Sequence, residues 1–195
     1  MSNTKIKQIL DQIAELECQL SEVINQEQTE VIFHFVGKKI EFEQSIKRYH
    51  LKLKNNFFHW LVSNRPLNLI TGPIIYSMII PLVITDFFIT FYQITCFPIY
   101  GINKVNRSDY IVFDRQHLHY LNFIEKFHCT YCAYGSGMIA YISEIVARTE
   151  QYFCPIKHAR KVLGTHARYK HFLEFGAAQD YQANLESYRK RLSKP

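Results

Sequence analysis

The sequence predicts an all-α protein with a membrane anchor, and three patterns lead to this fold class. Apolar residues recur at helical spacing near the start of the chain, over residues 4–28. A long apolar run occupies the middle, and glycine and proline stand where helices are expected to end. A chain of 195 residues has room for a small domain in addition to an anchor. We therefore divide it into four parts: residues 1–36, 37–66, 67–102 and 103–195.

The composition and charge restrict the class of partner. The chain is 48% hydrophobic and 21% charged, which is typical of neither disordered nor collagen-like sequences. Its formal net charge of +6 suits either nucleic acid or an anionic membrane surface. Because basic residues lie beside an apolar run, we expect a lipid bilayer as the partner and no nucleic acid. Glycine-rich phosphate loops, nucleophile elbows and His-Glu-x-x-His zinc helices are absent from the sequence, which disfavours nucleotide-dependent enzymes and ordinary hydrolases.

The first part, residues 1–36, is predicted to contain an amphipathic or coiled-coil-like helix over residues 4–28. Its apolar residues alternate at spacings of three and four, which gives an apolar seam along one face. These residues are Ile6, Ile9, Ile13, Leu16, Leu20 and Val23. Two interpretations stay open. The seam docks on the rest of the chain, or Ile6, Ile13 and Leu20 bind a second copy or another protein.

The second part, residues 37–66, is predicted to be a basic, aromatic helix next to the membrane. Its aromatic residues Phe57, Phe58 and Trp60 lie near the apolar run, and such rings favour the lipid headgroup region. Lysines there attract anionic lipid. The alternative is an ordinary basic helix in water. The basic residues of this part are Lys38, Lys39, Lys47, Arg48, Lys52, Lys54 and Arg65.

The third part, residues 67–102, is long enough to cross a bilayer, which takes about 20 apolar residues. Pro81 lies in its middle and predicts a kink. Two geometries fit: a single tilted span of residues 73–97, or a re-entrant segment bent at Pro81. We favour the single span in a cell inner membrane with the N-terminus in the cytoplasm, because the basic excess extends further on the N-terminal side.

Asp86 is the one formal charge in residues 67–102. In a single span it would lie near the middle of the bilayer, where a charge costs about 2.5–3.5 kcal/mol on insertion scales. Such residues usually face protein or water. We therefore expect Asp86 to form a polar site in the membrane, either pairing with a partner helix or marking a proton path.

The fourth part, residues 103–195, is predicted to contain a helical hairpin. Asp114 is a candidate N-cap for a helix that continues to residue 133. Gly135 and Gly137 are expected to break this helix, and a second helix is expected over residues 138–153. Antiparallel pairing of the two would place Glu125 and His128 opposite Glu144.

Further elements are predicted towards the C-terminus. Glu144 and Arg148 are one helical turn apart, a spacing that favours an ion pair. Pro155 suits the first turn of a third helix, and Gly164 suits its end. The last thirty residues are predicted to form a polar helical tail.

Cys129, Cys132, Cys154 and His158 are the candidate metal ligands. Cys-x2-Cys is a common half-site, and three thiolates with one imidazole suit zinc, which we favour over iron. Residues 138–153 would extend about 24 Å as one helix, so a site within one chain requires a break there or a ligand from another chain. Alternatively, the cysteines are small buried apolar residues, or Cys129 and Cys132 cycle between dithiol and disulfide.

Three segments of the chain resemble a family of uncharacterised bacterial membrane proteins. They are Cys-Phe-Pro-Ile-Tyr-Gly-Ile at 96–102, Tyr-Ile-Val-Phe-Asp-Arg at 110–115, and Ala-Arg-Thr-Glu-Gln-Tyr-Phe-Cys-Pro-Ile-Lys-His-Ala at 147–159. The similarity covers residues 70–158. The resemblance implies a membrane location and a recurring unit of Cys129, Cys132, Glu150, Cys154 and His158, and it supplies no activity.

The leading functional hypothesis is a bacterial inner-membrane protein whose C-terminal helical domain binds a transition metal, in a structural role. A second hypothesis is a membrane scaffold that acts through its N-terminal helix. A third is a thiol- or iron-dependent membrane oxidoreductase. The sequence does not choose a substrate, a partner or a reaction.

Overall fold

The computed structural model describes residues 8, 12–13, 15–24, 33–36, 39–42, 44–52, 67–179 and 181–193. These residues are mainly helical, as the fold class predicts. The chain divides into two compact units: Met1–Trp60 with Asp114–Phe123, and Leu61–Phe113 with Ile124–Pro195. The apolar part and most of the C-terminal part, which the sequence separates, therefore belong to one unit.

In its described residues, the first unit has two helices and a small β-hairpin. Helix α1 covers residues 15–24, inside the predicted amphipathic helix. Strand β1 (Phe33–Val36) pairs antiparallel with strand β2 (Lys39–Phe42), and helix α2 (Gln44–Lys52) follows. The hairpin is a correction, because residues 39–42 were expected to belong to the basic helix of residues 37–66. Aromatic and β-branched residues on either side of a two-residue connection that begins with Gly37 are the sequence features that favour it.

Several residues of the first and second predicted parts (residues 1–36 and 37–66) lie outside the described residues. These include the start of the seam at Ile6 and Ile9 and the aromatic residues Phe57, Phe58 and Trp60. The predicted basic helix is described only as α2.

The described part of the second unit has four α-helices: α3 (Leu67–Ser77), α4 (Ile79–Tyr100), α5 (Phe123–Phe153) and α6 (Tyr181–Leu192). α3 and α4 are separated only at Met78. Pro81 explains this interruption, because a proline has no N–H to donate to the carbonyl four residues earlier, at Ser77. Gly101 ends α4 in the left-handed conformation, with φ of 65°, and the Ile102 N–H donates to the Phe97 carbonyl at 2.8 Å.

α5 runs parallel to α3 and α4, because the contacts advance along both in the same direction. The Tyr131 hydroxyl donates to the Ile75 carbonyl near the N-terminal ends, at 2.7 Å. Further along, Gln93 bonds to Tyr141. At the C-terminal ends the rings of Tyr100 and Tyr152 are 5.1 Å apart. The apolar segment therefore continues in one direction through Met78 and does not fold back on itself at Pro81.

Residues 101–113, which we call the return segment, run back along the helix pair from the end of α4. The Val105 N–H donates to the Gln93 side chain at 2.6 Å, and Arg107 pairs with Asp86, two turns earlier in α4. A Cβ atom at Gly137 of α5 would lie 2.5 Å from the Tyr110 carbonyl oxygen and 3.0 Å from the Ile111 Cα. The return segment is therefore antiparallel to both helices and touches both.

α5 is one continuous helix of 31 residues, so the predicted break at Gly135–Gly137 is wrong. Gly137 is a contact point and not a turn, because only a residue without Cβ admits the backbone of the return segment. The expected hairpin, with Glu125 and His128 opposite Glu144, is absent from α5 for the same reason. The helix expected to start after Asp114 begins instead at Phe123, and Arg115–His117 forms a 3-10 turn.

The segment after α5 is also different from the prediction. Pro155 does not open a helix; residues 154–166 are irregular, and Ile156 forms a parallel bridge with Leu173. Since the Lys157 N–H donates to Leu173 and the Leu173 N–H donates to Pro155, at 2.7 and 2.9 Å, this backbone is satisfied outside a helix. The helical tail is present as α6, and its Leu185 and Leu192 are buried.

Substituting Gly137 with alanine tests the close approach of the return segment. Because the new methyl group would meet backbone atoms, we expect Gly137→Ala to lower the free energy of unfolding by about 2 kcal/mol or more. Gly135→Ala is the matched control, since its Cβ would lie 3.6 Å from Leu82 and alanine favours a helix over glycine by about 0.5–1 kcal/mol. Urea unfolding followed by circular dichroism measures both. Equal stability of the two variants would contradict the contact.

Candidate functional site

Gln93 joins three elements of the second unit through one buried amide. Its side chain is only 4% exposed, although it lies in the apolar segment. Its amide oxygen accepts the Val105 N–H at 2.6 Å, and its amide nitrogen donates to the Val105 carbonyl at 3.4 Å and to the Tyr141 hydroxyl at 2.8 Å. The amide thus satisfies the extended backbone of the return segment as a neighbouring strand would. α4, the return segment and α5 meet at this point.

Asp86 also faces other elements of its own unit. One carboxylate oxygen is paired with Arg107 of the return segment, and the other accepts a hydrogen bond from Tyr134 of α5 at 2.9 Å. The Thr90 hydroxyl, one turn further along α4, donates at 3.2 Å to the same Asp86 oxygen that is paired with Arg107. The predicted membrane polar site is therefore an ion-paired group inside the unit. Its partner helix is α5 of the same chain.

Glu144 forms the centre of a second ionic cluster on α5. Arg148 donates to it at 2.8 Å, which confirms the predicted pair, and Arg168 donates to the same oxygen at 2.7 Å. Arg148 also donates to the Asn103 carbonyl at 2.5 Å, and Arg168 to the Gln151 side chain at 2.9 Å. Burial alone would raise the pKa of Glu144, but the hydrogen bonds from Arg168 and Arg148 bring it below its ordinary value.

The segment 147–159, on which the predicted family resemblance depends, contributes to the contacts around this ionic cluster. His166 lies 2.8 Å from a carboxylate oxygen of Glu150, and Gln151 donates to the Tyr188 carbonyl of α6 at 3.0 Å. Arg189 of α6 lies over the ring of Tyr152, 4.8 Å from its centre. These side chains hold the segment after α5, and α6 itself, against the end of α5. Their arrangement supports a structural role for this motif.

The four predicted metal ligands are not brought together. Cys129 and Cys132 are one turn apart on α5, whereas Cys154 follows its last residue. The 21 residues of helix between Cys132 and Phe153 extend about 32 Å. His158 lies beyond the helix and stacks on Tyr169, with ring centres 6.1 Å apart. Among the described residues, no three His, Cys, Asp or Glu side chains converge in a way that could hold a metal ion.

Zinc or iron binding therefore stays a prediction of the sequence, and in this fold the four ligands would have to come from more than one chain. Cys132 and Cys154 are exposed, so a second chain could reach them. Cys129 and Cys132 lie inside a helix and not at its start, which removes the usual cause of an activated thiol. The dithiol hypothesis has no geometric support here.

The largest feature that the described contacts leave unexplained is an apolar face on α3 and α4. We call it the outer stripe; it consists of Ile70, Ile74, Ile80, Val83, Ile84, Phe87, Phe88, Phe91, Ile94 and Ile99. Each of these side chains is more than half exposed, up to 77% at Ile99. α3 and α4 together form one segment, Ile70–Tyr100, that is long and apolar enough to cross a membrane. Exposed apolar patches of this size mark an interaction surface.

The apolar seam of the N-terminal helix is a second exposed surface. Ile13, Leu16, Leu20 and Val23 are between 43% and 62% exposed. This exposure does not choose between the two interpretations, so docking on the rest of the chain and binding of a second copy or another protein both stay predictions.

No protein family, curated protein or solved structure matches this chain. The resemblance to uncharacterised bacterial membrane proteins therefore stays an expectation.

Two residues that organise the site were missed in the sequence, Gln93 and Arg168. A signal for Gln93 exists: it lies seven residues after Asp86, so both are on one face of the helix. Two polar residues at this spacing in an apolar run indicate the face that packs against protein. Arg168 carries no such signal, because its partner Glu144 is 24 residues away and only the fold joins them.

Glu144→Gln tests the ionic cluster. The substitution removes the charge shared by two half-buried arginines, and we expect the free energy of unfolding to fall by about 2 kcal/mol. Glu186→Gln is the control, because Glu186 is 63% exposed and pairs only with Arg189 of the same helix turn. Its loss should be below about 0.5 kcal/mol. Chemical denaturation at neutral pH measures both variants, and equal losses would contradict the assigned role.

The pH dependence of the free energy of unfolding, compared between wild type and Glu144→Gln, gives a second test of the ionic cluster. Since the pKa of Glu144 is lowered in the folded state, its contribution is present above its unfolded-state pKa and is lost as the pH falls through the folded-state pKa. The stability difference between wild type and Glu144→Gln should therefore shrink on acidification. A difference that is constant with pH would show that the charge is irrelevant.

Proposed function

We propose that this chain is a membrane-attached interaction protein, held to lipid by the outer stripe. The observation that carries the proposal is the exposure of ten large apolar side chains along one face of α3 and α4. In water, removing such a face from solvent would require a partner protein with an apolar surface of matching length. A bilayer covers the same face without specific complementarity. The family resemblance and the basic net charge support the same location.

The geometry supports binding more than catalysis. Asp86 and Glu144, two carboxylates of the second unit, are both held by arginines and hydrogen bonds. Groups satisfied in this way stabilise a fold, and they are poorly placed to exchange protons with a substrate. We therefore assign a structural role to the ionic clusters and a binding role to the exposed apolar surfaces.

The N-terminal helix supplies a second binding surface, and we assign it to self-association. Taking Ile13 and Leu20 as a positions and Leu16 and Val23 as d positions, residues 12 and 19 fall at g and are both glutamine. Uncharged g positions avoid repulsion between identical helices, so a parallel pair of two chains is compatible with the sequence. A dimer on a membrane is also the arrangement in which ligands from two chains could meet.

Charging the outer stripe tests the membrane attachment. Ile84→Lys combined with Phe88→Lys places two charges on the exposed face, and we expect at least about a tenfold loss of binding to phospholipid vesicles. Phe175→Lys is the control, because Phe175 is 69% exposed and lies after α5, outside the stripe. Vesicle flotation measures binding, with circular dichroism to verify folding. Unchanged flotation of the double variant would contradict the proposal.

Charging the seam tests self-association. We expect Leu16→Lys combined with Leu20→Lys to convert a dimer of the detergent-solubilised chain into a monomer, while vesicle flotation stays unchanged. Ser21→Lys is the matched control, since Ser21 is exposed on α1 but lies outside the seam. Light scattering coupled to size-exclusion chromatography gives the mass. A wild-type chain that is already monomeric would remove this second surface from the proposal.

A further inference from the structure

We infer that α3 and α4 lie in one leaflet of the bilayer and do not cross it, so that the chain before them and the chain after them are on the same side. This inference rests on the proposed membrane attachment and goes beyond it, because an apolar segment of this length would ordinarily be taken as a span.

The parallel direction of α5 is the first observation. α5 touches the apolar segment from Ile75 to Tyr100, over most of its length. If the segment crossed the bilayer in this fold, α5 would cross beside it and the return segment would cross in the opposite direction. α5 is not apolar enough for this, because among the described residues only Ile70–Tyr100 is both long and apolar enough to cross a membrane.

The return segment is the second observation. It is bonded to Gln93 and Asp86, which lie in the middle part of the apolar segment. If the apolar segment crossed the bilayer, the return segment would therefore lie near the middle of the bilayer. Lys104, Arg107 and Asp109 in this segment are exposed, as are Asn106 and Ser108. Exposed charges and irregular backbone facing lipid at that depth have no water to satisfy them, so irregular backbone occurs there only when buried in protein or lining a water-filled cavity.

The two faces of the helix pair are the third observation. The exposed side of the helix pair carries the outer stripe and no formal charge, and its exposed hydroxyls at Ser77, Thr85 and Thr95 donate to backbone carbonyls of their own helix. The charge of Asp86 is turned to the opposite side, where the return segment lies. α3 and α4 are apolar helices in themselves, and the polar side belongs to the folded unit, because the return segment and α5 cover the side of α4 that carries Asp86. A unit with one apolar and one polar side fits the plane of the interface, with its apolar side among the upper acyl chains. The outer stripe then contacts lipid along its whole length while Lys104, Arg107 and Asp109 stay in water or among headgroups.

The occupant of the outer stripe is therefore a phospholipid monolayer and not a second protein. A protein partner of the usual kind would meet a polar rim around an apolar centre. The stripe instead consists of large aliphatic and phenylalanine side chains from Ile70 to Ile99, a distance of about 44 Å along the helix. It is much longer than the apolar centre of an ordinary interface and has the length expected of an in-plane helix.

Cysteine labelling of the full chain in its membrane tests this inference. In a chain whose five cysteines are replaced by serine or alanine, single cysteines are introduced as Ser21→Cys in α1, Ser108→Cys in the return segment and Ser193→Cys after α6. All three serines are exposed. Intact cells and inverted membrane vesicles are treated with a membrane-impermeant maleimide, and vesicles opened with detergent give the total.

We expect all three cysteines to react from the same side. Labelling of Ser21→Cys and Ser193→Cys from opposite sides would overturn the inference and leave membrane attachment intact, as would a Ser108→Cys that reacts only after detergent. A chain that stays in the soluble fraction would overturn membrane attachment itself. Should the cysteine-free chain fail to fold, protease protection of tags at the two ends of the wild-type chain distinguishes the same two arrangements.

Discussion

The second unit depends on one buried amide, that of Gln93, which binds the return segment to two parallel helices. An amide left without partners in this position would cost about 1–3 kcal/mol, so the extended backbone at Val105 and the hydroxyl of Tyr141 must stay where they are. Two parallel helices can be connected only by a chain that travels back along their length. Gln93 fixes that chain at one point, and the missing side chain of Gly137 allows it to pass at another.

The distribution of charge follows from this connection. Because the return segment occupies one side of α4, Arg107 arrives beside Asp86 and neutralises the one charge of the apolar segment within the same chain. The opposite side keeps no formal charge and consists mainly of large apolar residues, which explains why a chain of ordinary overall composition exposes so long an apolar face. At the far end, Arg148 and Arg168 converge on Glu144 and hold the chain after α5 in place. The charge of the apolar segment is thus paired inside the unit, while the exposed side of α3 and α4 stays uncharged.

Local sequence signals were sufficient for the helical class, for the apolar segment and for the pairing of Glu144 with Arg148, since each depends on spacing within one helix. They failed where distant residues decide the conformation. Gly137 has the sequence features of a helix break, but Tyr110 and Ile111 pack against it and the helix continues. Pro155 is suitable for a helix start, but its carbonyl is taken by Leu173. The metal hypothesis depended on the predicted hairpin, so the four ligands separate when α5 is continuous.

The parallel direction of α4 and α5 is the central claim, and distances between spin labels on the lipid-bound chain test it most directly. Labels at the exposed positions Ile74, Ile99, Phe127 and Phe153 give two same-end pairs, 74 with 127 and 99 with 153, and two cross-end pairs. Double electron–electron resonance should find both same-end pairs shorter than both cross-end pairs by about 20 Å. The reverse order, with 74 closer to 153 than to 127, would show an antiparallel hairpin. It would contradict the fold, the return segment and the in-plane arrangement together.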